Sequence, residues 1–167
     1  MKKTKIASVV IDTNVYGWYL SYTLDGSRRN EAVNSYNLLS KILELKKPLV
    51  LGTDTIEREI RDAGRPELAQ LFSSVVKGII KKSRNIDELA KNYYDSCKKE
   101  SLRLVTIDDC EIAAAAAMSG ARILVTENRR TFNNPRVAKE IEKANVAKKI
   151  RSIKLMDSKN ALGEIFA

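Results

Sequence analysis

Residues 6–11, IASVVI, form an almost unbroken apolar run that stops on Asp12. A strand with one wet face alternates apolar and polar residues. A run without that alternation needs cover on both faces, which is the situation of an inner strand in a parallel sheet. PLVLG at 48–52 and RILVT at 122–126 read the same way, and IRSIKLM at 150–156 supplies a fourth strand. Three strands that must each be covered twice leave few architectures open.

The intervening segments have the helical period. Ala32, Tyr36, Leu39 and Leu43 make one apolar stripe across 31–46. Residues 54–63 and 66–80 read as two helices broken near Gly64 and Pro66. Ile86, Leu89, Ala90, Tyr93, Tyr94 and Cys97 share a face of 86–99, and IDDCEIAAAAAMS at 107–119 forms an alanine-rich helix able to pack closely. Asn134 caps and Pro135 begins a last helix reaching about Lys149. Strands alternating with helices predict an α/β fold, a Rossmann-like three-layer sandwich around a parallel sheet of four to five strands. Residues 1–156 form one domain in this reading. Residues 157–167 are a C-terminal tail, read either as ordered apolar chain or as a partner-binding end.

Composition narrows the chemistry. A net charge of +9 on 167 residues favours polyanionic partners, nucleic acid before an anionic membrane, against a merely lysine-rich surface. The absence of histidine removes Ser–His and Cys–His nucleophiles and histidine-based zinc sites. Cys97 and Cys110 stand apart in sequence, which fits reduced thiols better than a disulfide framework. MKKTKIASVVI is interrupted by Asp12 too early for a signal peptide, and no stretch is apolar enough to span a bilayer, so a soluble cytoplasmic protein without membrane contacts is expected.

Ligands of open parallel sheets bind beyond the carboxyl ends of the strands. Asp12, Thr13 and Asn14 follow the first strand. Glu57 and Glu59 lie on the helix after the second, Thr126, Glu127 and Asn128 follow the third, and Asp108 and Asp109 open the helix that returns to it. Each acid has an architectural alternative. Asp12 can close an Asx-turn, and Asp54 with Glu57, like Thr106 with Asp109, has capping spacing. Glu59 lies past any capping position. Carboxylates converging on one edge repel one another unless a cation joins them, and hard oxygen donors suit Mg²⁺ or Mn²⁺. A basic chain with an acidic metal pocket matches phosphodiester hydrolysis.

Four segments in this order, VVIDTNV, TIEREI, DCEIAAAAA and ILVTENRRTF, resemble the PIN-domain ribonucleases, the family that includes VapC-type toxins; the resemblance covers roughly residues 5–155. It implies a PIN-like fold and a Mg²⁺- or Mn²⁺-dependent endoribonuclease in which Asp12, Glu59 and Asp109 are both catalytic and metal-binding. Glu59 matches the pattern better than Glu57, and Asp109 better than Asp108. Thr126 matches the strand-end threonine, with Thr13 and Asn14 in support. The family's fourth acid is replaced: Asn128 and Thr131 occupy its positions, and Glu127 is the alternative ligand. The resemblance also implies a homodimer and a cognate antitoxin or other protein inhibitor. Arg129 and Arg130, beside the pocket, are the candidate RNA contacts. The rival expectation is a PIN-like module that binds RNA or protein without cutting. A phosphatase beginning at Asp12 would need a second aspartate where Asn14 stands, and neither a G-x-G-x-x-G nor a P-loop is present.

Overall fold

The computed structural model describes residues 5–167; the lysines at positions 2 and 3 lie outside them. Five strands form one parallel sheet: β1 (Ser8–Ile11), β2 (Leu49–Thr53), β3 (Gly78–Ile80), β4 (Ile123–Val125) and β5 (Lys154–Met156), in the order β3-β2-β1-β4-β5. Among the described residues, eight helices surround it: α1 (Thr13–Asp25), α2 (Asn30–Leu45), α3 (Asp54–Asp62), α4 (Pro66–Val75), α5 (Arg84–Lys99), α6 (Ile107–Met118), α7 (Pro135–Ala147) and α8 (Ser158–Phe166). One helical group joins α2 with α1, α4 and α8, and another joins α5 with α6 and α7. The α/β sandwich and its parallel sheet are as the apolar runs require.

The core explains those runs. Val9, Val10, Ile11, Ile123, Leu124 and Val125 are completely buried, because β1 and β4 are inner strands covered on both faces. Each such side chain contributes roughly 1.5–3 kcal/mol of transfer free energy. Ala113 to Ala117 are buried on α6, where short side chains let the helix approach its neighbours.

Two elements depart from the sequence expectation, and the tail, left open there, is ordered. Residues 78–80 form β3 and do not prolong α4, because Gly52 and Thr53 on β2 offer a free edge to Ile79 and Ile80. The approach is close: a Cβ on Gly52 would lie 2.8 Å from Ile79 Cδ1 and 2.9 Å from Phe72 Cζ. Residues 13–25, to which no helical stripe was assigned, form α1, capped by Asp12 at its start and by Gly26 in the left-handed region at its end. The tail 158–166 is helix α8, packed on α2 and β4 and capped by Asp157.

The chain leaves β1 for β2 on one side and later returns to β4 on the other. The sheet therefore reverses its winding between β1 and β4, and a crevice forms beyond their carboxyl ends. Asp12 N–H donates to Val125 O at 2.9 Å, and Thr126 N–H donates to Met156 O at 2.9 Å. Asp12 and Thr126 are thus brought side by side at that switch point by backbone pairing.

Candidate functional site

Asp12 is only 6% exposed. Its Oδ1 accepts from Thr13 N–H at 2.8 Å, the N-cap bond of α1. Its Oδ2 accepts from Thr126 Oγ1 at 2.9 Å and Asn14 Nδ2 at 3.1 Å. Thr126 Oγ1 itself accepts from Asn14 Nδ2 at 3.3 Å and Asn128 N–H at 3.1 Å, so its one proton is directed at Asp12. Asn14 completes the clamp by accepting from Glu127 N–H at 3.0 Å. The Asx-turn alternative is therefore half right: Asp12 caps a helix and still presents a carboxylate at the switch point.

Glu59 and Asp109 approach from two other elements. Glu59, on the second turn of α3, accepts a short hydrogen bond from Thr13 Oγ1. Asp109, in the first turn of α6, forms a capping box with Thr106: its Oδ2 accepts from Thr106 N–H at 2.9 Å, and Thr106 Oγ1 accepts from Asp109 N–H at 3.1 Å. The capping pair expected at Asp54 and Glu57 is not formed. Thr53 caps α3 instead, accepting from Ile56 N–H at 3.1 Å, and Asp54 accepts from Lys82 N–H at 2.6 Å.

The electrostatics reflect crowding of like charge. Burial first, then the charges of Glu59 and Asp109, raise the Asp12 carboxyl to about 7 against the hydrogen bonds from Thr126 and Thr13. Burial and neighbouring Asp108 and Asp109 raise Glu59, despite the Thr13 hydroxyl. Burial also raises Asp109, with Asp108 adding to it against the Thr106 bonds. The hydroxyl of Tyr16 is buried without a hydrogen-bond partner, and Asp12 adds to the burial that pushes its pKa up.

The neighbours fall elsewhere. Asp108 pairs with Arg58 at 2.8 Å, and Glu57 lines a groove with Arg61 and Arg65 between α3 and α4. Glu127 is 8% exposed, and its Oε1 accepts from Ser158 N–H at 2.8 Å, at the start of α8. Asn128 Oδ1 accepts from Arg130 N–H at 3.2 Å, a local turn. Thr131 is buried and its hydroxyl has no partner. Arg129 reaches Glu31 of α2 at 3.8 Å, whereas Arg130 lies in the loop before α7.

Sequence reasoning missed Asn133, whose Nδ2 donates to Thr126 O at 2.7 Å and holds the strand end, and Ser158, which holds Glu127 from 31 residues away. The Asn133–Asn134 pair before Pro135 was a turn signal that could have drawn attention to the first. No local pattern points to the second.

A divalent cation meets the right kind of donor here: hard carboxylate oxygens whose mutual repulsion it would relieve. Among the described residues, however, no three such groups stand close enough together to form a finished metal cluster. One oxygen each of Glu59 and Asp109 is engaged by Thr13 and Thr106.

Neither a protein-family model nor a curated protein matches this sequence. The structure is similar to that of VapBC2 from Rickettsia felis bound to a DNA fragment from their promoter, with a TM-score of 0.55, 16% identity, and coverage of 90% of this chain and 98% of that one. It is also similar to FitAcB from Neisseria gonorrhoeae, with a TM-score of 0.54, 14% identity, and coverage of 90% and 97%. At these identities the likeness is one of fold, and it agrees with the PIN-like architecture read from the sequence motifs. No helix among the described residues is long and apolar enough to cross a membrane.

Proposed function

We propose that this PIN-like chain is a metal-dependent endoribonuclease of the toxin type, hydrolysing RNA phosphodiester bonds at Asp12, Glu59 and Asp109. The observation that carries the reading is Asp12 itself. A buried carboxylate at the switch point of a parallel sheet, raised to about 7 and facing two further acids, is costly to keep without a chemical use. As architecture alone, an asparagine would cap α1 about as well.

Asp12, Glu59 and Asp109 would hold Mg²⁺ or Mn²⁺. When bound, such an ion supplies positive charge that stabilises the negative charge developing on the phosphate oxygens. The chain's own groups do the rest. Thr126 and Asn14 fix the Asp12 carboxyl, Thr13 sets Glu59, the capping box sets Asp109, and basic residues around the edge hold RNA phosphates. A homodimer and a cognate antitoxin acting on this edge belong to the same reading, supported by the resemblance to VapC-type toxins and the fold shared with VapBC2 and FitAcB.

The test is cleavage of single-stranded RNA with Mg²⁺ or Mn²⁺ and with EDTA, by the wild type and by Asp12→Asn. Cleavage with the metal, abolished by EDTA and by Asp12→Asn, is expected. Cleavage that persists in Asp12→Asn sinks the assignment. A second reading, a module that binds RNA or protein without cutting, is favoured by one observation: no acid fills the fourth place, since Glu127 is held by Ser158 and Asn128 by Arg130. RNA binding without cleavage under any metal condition would select it.

A further inference from the structure

The two arginines after β4 have different surroundings. Arg129 approaches a carboxylate on α2, at 3.8 Å from Glu31. Arg130 lines a cavity of about 250 Å³ together with Arg103, Leu102, Leu104, Asn134 and Val137. One wall of this cavity is the segment leading into α6, the helix that carries Asp109. The other is the segment running from Thr126 into α7. Both walls are thus next in sequence to residues of the carboxylate edge, Asp109 on one and Thr126 on the other.

Its charge is one-sided. Neither Arg103 nor Arg130 has a carboxylate partner among the described residues, and no acid lines the cavity, so both guanidinium groups are free to meet an anion there. Asn134, the N-cap of α7, lines the cavity and no acid stands in the first turn of that helix, so its positive end adds to the two guanidinium groups, whereas the start of α6 is answered by Asp108 and Asp109. The remaining wall is apolar. Leu102 and Val137 are buried, while Leu104 is 62% exposed and offers its apolar surface at the cavity mouth. A guanidinium pair above an apolar wall suits a phosphodiester with its sugar and base: the fork of donors meets phosphate oxygens, and the apolar surface meets the nucleoside.

We propose that this cavity is a subsite for single-stranded RNA, in which Arg103 and Arg130 hold a phosphodiester flanking the one that is cut and Leu104 lies against the attached nucleoside. The proposal deepens the ribonuclease reading and rests on it for the word "flanking". Arg103 is thereby an RNA contact, and Arg129 is excluded from this subsite.

The measurement is binding of a short labelled single-stranded RNA to the full chain in EDTA, so that no cutting occurs, across a range of potassium chloride concentrations. Each phosphate contact on a single strand contributes about 0.7 to the slope of log affinity against log salt. Arg103→Ala and Arg130→Ala should each weaken binding roughly 3–10-fold and lower the slope by about 0.7, and the double variant by about 1.4. Leu104→Ser should weaken binding with the slope unchanged, because it removes no charge. Lys91→Ala, an equal loss of charge on the exposed surface of α5, should leave both affinity and slope nearly as they were. Slopes unchanged in both arginine variants, or lowered as much by Lys91→Ala, overturn the subsite. So does a loss confined to duplex DNA, which would assign the arginines to that ligand instead. If the wild type binds RNA with the expected slopes but leaves it uncut when Mn²⁺ is restored, the subsite is upheld and the ribonuclease reading falls.

Discussion

Asp12 and Glu127 are two nearly buried acids on the same sheet edge, 6% and 8% exposed, each held by an N–H at the start of a helix. Burial raises the pKa of both. Their surroundings separate them. Asp12 receives its bonds inside the crevice and faces Glu59 and Asp109. Glu127 sends its carboxylate to the first N–H of α8, where the helix dipole and Ser158 answer it. Asp12 thus combines a helix cap with the charges of Glu59 and Asp109, the crowding that a cation would relieve in the proposed reading. The acids near Glu127 are instead Asp157 and Glu31, and its carboxylate is bonded to α8. Proximity to the site in sequence, where Glu127 directly follows Thr126, does not distinguish the two.

Activity should separate Asp12 from Glu127 most strongly. Asp12→Asn should lower RNA cleavage on the order of 10²–10³-fold, a loss of the size seen when one transition-state electrostatic contact is removed. Glu127→Ala should leave cleavage per folded molecule nearly unchanged. Equal losses in a cleavage assay would mean that Glu127 belongs to the reacting site.

Stability against pH gives the next contrast. The folded-state pKa of Asp12, about 7, lies above its ordinary 3.8, so the native protein holds this proton more tightly than the unfolded chain does. Its contribution is fully present below about pH 4 and is lost as the pH rises through about 7. Glu59 and Asp109 shift in the same direction. In EDTA, Asp12→Asn should therefore be the more stable protein near neutral pH, by on the order of 2–4 kcal/mol, with the gap closing towards about pH 4. Chemical denaturation at several pH values measures it, and parallel curves for the two proteins would show that Asp12 carries no such strain. Mn²⁺ should recover the lost stability in the wild type and not in Asp12→Asn, by binding only the folded form.

Metal affinity sharpens the account of the fourth position. Asn128→Asp keeps an oxygen for Arg130 N–H and adds a negative charge at the edge. Calorimetric titration should show Mn²⁺ binding tighter by about 3–10-fold, since ligand charge tunes such sites. A gain of that kind alongside unchanged affinity in Glu127→Ala would assign the fourth position to residue 128.

The smallest effects concern the acids beside the site. Glu127→Ala should cost about 1–2 kcal/mol of stability, because it strips a buried N–H of its acceptor. Asp108→Ala removes a half-exposed ion pair with Arg58, and Glu57→Ala removes an acid from the first turn of α3; each should cost no more than about 0.5–1 kcal/mol, with little change in cleavage. Glu59→Ala and Asp109→Ala should cut activity sharply. Reversal of either pair would place the wrong neighbour in the crevice.

How much of this was legible in the sequence depends on how local the physics is. The nearly continuous apolar runs at 6–11 and 122–126 pointed to inner parallel strands, because a strand covered on both faces has no wet face that would impose alternation. Asp12 stood out as the carboxylate that ends such a run. The Thr106–Asp109 spacing and the Asn134–Pro135 start were readable as caps, because capping involves only neighbours within one turn. The preference for Glu59 over Glu57 and Asp109 over Asp108 came from the family pattern, and the structure is compatible with it by sending Asp108 to Arg58.

What the tertiary structure decided is long-range. Whether 78–80 would extend α4 or pair with β2 depended on a free sheet edge and a glycine at position 52, which local period cannot see. Helix α1 lacks a clean apolar stripe because it packs on α2, α3 and α4 at once, so its helical state rests on tertiary contacts and on its Asp12 cap. The divergence of Glu127 from Asp12 awaited the docking of α8, 31 residues later, and the divergence of Arg129 from Arg130 awaited Glu31 on α2. Side-chain type and spacing determine which residues can do chemistry. Which of them face one another is set by where the chain returns, and that is a property of the packed sheet and its helices.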